Sequence, residues 1–187
     1  MSTDLRVLKT KEALHHALLA LLNEKSLHTI TITELCKSAR VNRGTFYFHY
    51  GQIEDIFEEY LNIMMDDLSA SYLEPYKHAP TLTPDILDPT AIRIFHHVKK
   101  YNSFYRIVFS KQVPLSYYYL LFEHLKELLR KDLERYNTTS VSTDMLSAYQ
   151  SNAILGMILE WKQEDFRQSV VEMNQMLTDI LRLNRRD

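Results

Sequence analysis

The stretch Thr31-Ile32-Thr33-Glu34-Leu35-Cys36-Lys37-Ser38-Ala39-Arg40-Val41-Asn42-Arg43-Gly44-Thr45-Phe46-Tyr47-Phe48-His49-Tyr50 decides the fold of this 187-residue chain. Thr33 can cap a helix by accepting a hydrogen bond from a free backbone N–H, and Glu34 to Ala39 then form a short helix that ends near Arg40. Val41-Asn42 is a break that supplies a new cap in Asn42. Arg43 to His49 make a second short helix, in which Phe46 and Tyr50 fall on one face. Gly51-Gln52 ends it.

Two short helices with so tight a connection, the second rich in donors and aromatics, match a helix-turn-helix, whose second helix enters the major groove of DNA. Roles follow from residue type. Arg43 and Thr45 stand at the start of the second helix, where side chains reach base edges, and Arg binds guanine through two parallel hydrogen bonds. Gly44 lets the backbone approach the duplex closely. Tyr47 and His49 are expected on the outer side as phosphate contacts, and Phe48 against a thymine methyl. Thr33 and Asn42 complete the expected DNA-binding set, while Phe46 points inward.

Outward from this stretch, Leu14, Ala17, Leu18, Leu21 and Leu22 recur at helical spacing and predict a helix over Lys9 to Asn23. A fourth helix runs from Ile53 past Leu61 to Leu68. The stretch Glu74 to Pro89 holds four of the five prolines and reads as a linker. Beyond it, helices are expected over Ala91 to Tyr101, Ser103 to Ser110, Leu115 to Tyr136, Thr143 to Trp161 and Phe166 to Asn184, making about nine in all. The predicted fold is all-α, with a three-helix head at 1–52 joined by the fourth helix to a helical body at 53–187. Three glycines and five prolines are too few for a turn-rich β protein or a phosphate-cradling glycine loop.

The net charge of −2 divides unevenly. Residues 1–50 carry seven basic against four acidic side chains, and the remainder is net acidic, so the local charge permits DNA binding. Cys36 is the only cysteine, which excludes an intrachain disulfide and suits a reducing cytoplasm. The N-terminus lacks a signal peptide's pattern. The longest uncharged run, Met145 to Leu159, is shorter than the roughly 18–20 apolar residues of a membrane span. A cytoplasmic protein without membrane contact is expected.

The run Arg40-Val41-Asn42-Arg43-Gly44-Thr45-Phe46-Tyr47-Phe48-His49-Tyr50, continued by Glu54-Asp55-Ile56-Phe57, closely resembles the TetR family of bacterial regulators over about residues 8 to 62. The family's pattern there is like Gly-Val-Ser-Lys-Gly-Thr-Leu-Tyr-His-His-Phe. Arg40 replaces the usual glycine at a position expected to need a left-handed backbone. Ile53 replaces a phosphate-contacting lysine, leaving the free N–H groups of the fourth helix to face a phosphate. In the body, Asn102 to Ile107 and Leu155 to Trp161 are similar to a subgroup that includes regulators of dihydroxyacetone kinase operons. The resemblance implies a sequence-specific regulator, commonly a repressor, that binds a palindromic double-stranded operator as a homodimer and answers to a small-molecule effector.

Candidate effector residues are His96, Phe104, Tyr105, Phe109, Tyr118, Phe122 and Trp161, aromatics with some polar tips, although most such residues simply fill a helical core. Candidate pairing residues are Ala153 and Gly156, which let a neighbouring helix approach, and Met173, Met176, Leu177 and Ile180 on the last helix. The adjacent pairs His15-His16 and His96-His97 point to different helix faces, whereas a helical metal site wants ligands three or four apart. No metal, cofactor or catalytic constellation is expected. The competing reading is a co-regulator that acts mainly by protein–protein contact, with weak or no operator binding.

Overall fold

In a computed structural model the described residues are 5–77, 88–136 and 140–183. Among them are nine α-helices: Leu5–Leu22 (α1), Ile32–Ala39 (α2), Arg43–His49 (α3), Ile53–Leu73 (α4), Ile94–Lys100 (α5), Asn102–Val108 (α6), Ser116–Tyr136 (α7), Thr143–Gln163 (α8) and Val170–Leu183 (α9). No strand occurs among the described residues, as the composition predicts. The expected linker lies for the most part outside them; its ends form the 3₁₀ turns Glu74–Lys77 and Pro89–Ala91. The end of the last predicted helix, Asn184, also lies outside. No described helix is long and apolar enough to cross a membrane.

The chain divides into two compact units, Met1–Met64 with Arg106–Tyr118, and Met65–Tyr105 with Tyr119–Asp187. In the first, Leu14, Leu18 and Leu22 line one face of α1 at four-residue spacing and are buried with Leu35, Phe46, Ile56 and Phe57. The later segment adds Ile107, Val113 and Tyr117, whose ring meets Phe57 edge-on at 4.6 Å. In the second, Trp161 is the hub: Phe95 and Phe166 stand edge-on to it at 5.8 and 5.2 Å. Its indole N–H donates to the Gln168 carbonyl at 3.1 Å.

Two helix ends use the same device. Arg40 is left-handed (φ 54°), with its N–H on the Lys37 carbonyl and the Val41 N–H on the Cys36 carbonyl. Asp165 (φ 58°) repeats the pattern after α8, its N–H on Lys162 and the Phe166 N–H on Trp161. This double bond pattern satisfies carbonyls that a helix end leaves open. A non-glycine residue there costs about 1 kcal/mol. Because Phe166 also has positive φ (54°), α9 starts at Val170 and not at the predicted Phe166.

The cap of α2 is corrected. Thr31, not Thr33, is the N-cap: its hydroxyl accepts from the Glu34 N–H at 3.2 Å, and Glu34 reaches back to the Thr31 N–H at 3.0 Å. Only Thr31 stands three residues before Glu34, the spacing that a reciprocal cap requires. Lys25 and the two Thr31 bonds hold the Glu34 carboxyl down at about 2 from its usual 4.5. A depressed acid stabilises the fold above its unfolded value and loses that contribution as pH falls. Thr31→Ala is expected to cost roughly 1 kcal/mol in chemical denaturation at pH 7. The difference from wild type should shrink between pH 4.5 and about 2 as Glu34 protonates.

Candidate nucleic-acid interface

Asn42 caps α3 as expected, its side-chain oxygen accepting from the Gly44 N–H at 2.8 Å. Phe46 is wholly buried and Tyr50 nearly so, while the other side chains of this short helix are exposed or, at His49, partly so. Arg43, Gly44 and Thr45 are exposed, Tyr47 is 52% exposed and Phe48 80%. The Arg43 guanidinium lies 6.0 Å over the Tyr47 ring and reaches its hydroxyl at 3.5 Å, so two expected contact residues lie side by side one turn apart. A methyl group at Gly44 would meet nothing nearer than the Asn42 side-chain oxygen at 3.5 Å, so the protein itself does not demand glycine there. His49 is only half exposed, set between the rings of Phe48 at 4.9 Å and Tyr50 at 6.2 Å. Thr33 is exposed in the first turn of α2 and makes no side-chain hydrogen bond among the described residues.

Ile53 is buried at the start of α4. The Asp55 carboxylate accepts from the N–H groups of Gly51 at 2.8 Å and Gln52 at 3.0 Å, and Glu54 adds a second negative charge to that first turn. Two carboxylates thus stand in the first turn of α4, where negative charge suits the positive end of the helix dipole.

One tie escaped the sequence reading. Glu59 on α4 accepts from Lys11 of α1 at 2.5 Å and from the Tyr50 hydroxyl at the end of α3, and lies 3.3 Å from His15. Burial works against the Glu59 charge, but Lys11 and Tyr50 outweigh it and hold the carboxyl below its usual range. Burial likewise lowers His15, against the pull of Glu59. Three helices thus meet at one carboxylate.

Of the candidate effector residues, Phe104, Tyr105 and Trp161 are buried core. Phe109 and Tyr118 pair at 5.9 Å in the first unit, and Phe122 lies beside Lys126 in the second. His96 is exposed, on a shallow hollow of about 390 Å³ with Arg93, Thr90 and Gln175. Its neighbour His97 is the buried member of the pair, legible from its place three residues after Ile94 on the inward face of α5. Its Nδ1 lies 2.7 Å from the Asp67 carboxylate and its Nε2 3.1 Å from the Tyr105 hydroxyl.

Of the pairing candidates, Ala153, Gly156, Met176 and Ile180 are exposed and Leu177 half-buried. Met173 is buried in its own unit, because the inward face of α9 runs through Met173, Asn174 and Thr178 and so turns Met176, Ile180 and Leu183 outward. A groove of about 450 Å³ between α8 and α9, lined by Met157, Trp161, Met176 and Ile180 with Glu160 and Asp179, adjoins this outward face.

Burial lowers the His97 pKa from 6.5 to about 4, with Asp67 pulling the other way. The imidazole is neutral at pH 7, donating to Asp67 and accepting from Tyr105. An unfolded chain takes up this proton more readily than the fold, so stability is full above pH 6.5 and falls as pH drops towards 4. Urea unfolding across this window should show a loss of up to about 3 kcal/mol, and His97→Gln should flatten it.

A family profile described as bacterial regulatory proteins of the tetR family matches residues 11–60, and one described as a transcriptional regulator C-terminal region matches residues 85–183. The Bacillus subtilis (strain 168) protein named uncharacterized HTH-type transcriptional regulator YxbF is 24% identical over 169 residues, covering 88% of this chain and 43% of that protein. The chain thus spans less than half the length of that relative. Among solved structures, the dihydroxyacetone kinase operon activator DhaS superposes with a TM-score of 0.65 at 15% identity, covering 94% of this chain and 95% of that one. The transcriptional regulator FadR of Bacillus subtilis, solved with stearoyl-CoA, gives 0.66 at 14% identity, over 91% and 96%.

Proposed function

We propose, from the premise that this chain belongs to the TetR family of bacterial regulatory proteins, that it is a ligand-responsive repressor which binds a palindromic operator as a homodimer. It is a transcription regulator and not an enzyme. The observation that carries the finer reading is α3 itself, which buries Phe46 completely while leaving Phe48 80% and Tyr47 52% exposed beside Arg43 and Thr45. Large exposed aromatics next to a guanidinium suit a partner offering both apolar base edges and phosphates.

In this reading residues 1–52 are the DNA-contacting head and 53–187 the regulatory body. Arg43 and Thr45 read bases, Tyr47 and His49 grip phosphates, and Phe48 meets a thymine methyl, with Thr33, Asn42 and Gly44 at the same surface. The protein acts in the cytoplasm, where its operator is. Its two heads occupy successive major grooves, roughly 34–36 Å apart. An effector held by the body lowers operator affinity by favouring the other conformation of the protein. Stearoyl-CoA in FadR makes an acyl thioester one class of effector to screen.

Binding to the duplex upstream of its own gene, measured across a salt series, tests the operator reading. A steep salt dependence with a large preference over random DNA is expected. Weak, equal binding to every duplex would instead favour a co-regulator working through protein contacts. Arg43→Ala should lower the preference for the operator by about 1–3 kcal/mol, whereas Tyr47→Phe should weaken binding to all duplexes alike. Equal losses of preference would mean that the base and phosphate roles are misassigned.

Pairing is assigned to the outward face of α8 and α9, where Ala153, Gly156, Met176 and Ile180 are exposed. A Cβ at Gly156 meets nothing of its own chain within 4 Å, so Gly156→Glu should leave the helical fold of the chain intact by circular dichroism. Sedimentation should nonetheless show the variant shifted from dimer towards monomer. An unchanged dimer would place the interface elsewhere.

A further inference from the structure

We propose that Gln112, on the connection between α6 and α7, is a positioning residue for operator recognition, holding the turn from which α2 and α3 are set; this rests on the operator-binding reading above. The turn after α1 runs from Ser26 to Ile30 and leads directly into the Thr31 cap. Its Leu27 N–H donates to the Gln112 backbone carbonyl at 2.8 Å. The Ser26 hydroxyl donates to the Gln112 side-chain oxygen at 3.1 Å, across a separation of 86 residues.

Gln112 is itself held in place. Its N–H donates to the Ser110 hydroxyl oxygen at 3.1 Å, that hydroxyl donates to the Ile107 carbonyl at 2.7 Å, and Val113 beside it is buried. Among the described residues every other hydrogen bond of the turn is local. Thr29 returns to the Ser26 carbonyl at 2.7 Å, and Lys25 meets Glu34 at 2.5 Å. Glu34 is the same carboxylate that completes the cap of α2. A shift at Ser26 is therefore passed through Lys25, Glu34 and Thr31 to the start of α2, the helix against which α3 packs. Among the described residues, Gln112 supplies the hydrogen bonds that tie this run to a distant part of the chain.

The test uses the full chain and a duplex selected by the wild-type protein from a randomised pool. Ser26→Ala removes the donor and Gln112→Leu the acceptor; each is expected to weaken binding to the selected duplex roughly three- to tenfold. The double variant should be no weaker than the weaker single one, because both remove the same bond. The salt slope should stay unchanged, since no phosphate contact is lost. Amide exchange should quicken at residues 27–34 and not in α8. Gln112→Glu, which keeps an acceptor for Ser26, should restore wild-type binding. Unchanged affinity in either single variant, additive losses, or a Gln112→Glu protein as weak as Gln112→Leu would overturn the inference. A wild-type protein that selects no duplex removes the operator reading and this inference with it; wild-type binding with unaltered variants removes this inference alone.

Discussion

The wholly buried ring of Phe46 is the constraint on which the short helix α3 depends. With seven residues, α3 falls well short of the roughly 12–15 that an isolated helix needs in water. Its shape comes from packing and from its ends: Asn42 caps the start, and Tyr50 buries its ring at the finish while Glu59 takes its hydroxyl. Once Phe46 and Tyr50 face inward, the helical repeat turns Phe48 to the opposite side, and Arg43 and Tyr47 are exposed as well. Truncating a buried phenylalanine costs about 3–5 kcal/mol, a large share of the roughly 5–15 kcal/mol that holds a domain folded. At Phe46, stability and the shape of the exposed surface of α3 cannot be separated.

Around that apolar anchor the first unit is oriented by polar ties. Glu59 collects Lys11, Tyr50 and His15, and Gln112 collects Ser26 and Leu27. Such bonds add modest net stability, since water would satisfy the same groups in the unfolded chain. Their value is directional. A methyl or a ring can slide against its neighbours, whereas a carboxylate shared by three helices admits few arrangements. The family profile for the N-terminal region ends at residue 60, yet Arg106–Tyr118 belongs to the same compact unit.

The second unit spends its aromatics on structure. Phe95, Trp161 and Phe166 form an edge-on cluster and Tyr105 is bonded to His97, so three of the seven residues expected to cradle an effector, Phe104, Tyr105 and Trp161, are buried. Helices α8 and α9 leave Met145, Tyr149, Met176, Ile180 and Leu183 exposed. Exposed apolar residues on two helices flanking an open glycine are what a partner helix can cover.

Much of this was determined by the sequence itself, because it is written at short range. Helical spacing marked out the helices, the break at Val41-Asn42 separated α2 from α3, and Phe46 and Tyr50 were set on one face, while the resemblance to the family's usual glycine marked Arg40 as the left-handed residue of the turn. Even the corrected cap was legible, since only Thr31 has an acidic residue three places on. Tertiary structure alone decided which distant groups meet. Nothing in the local pattern joins Ser26 to Gln112 across 86 residues or Lys11 to Glu59 across 48. It also turned Met173 inward and Met176 outward, through a left-handed pair at Asp165 and Phe166 that delays the start of α9. Periodicity and capping are settled between residues three or four apart, whereas the pairing of buried polar groups is settled only when whole helices pack.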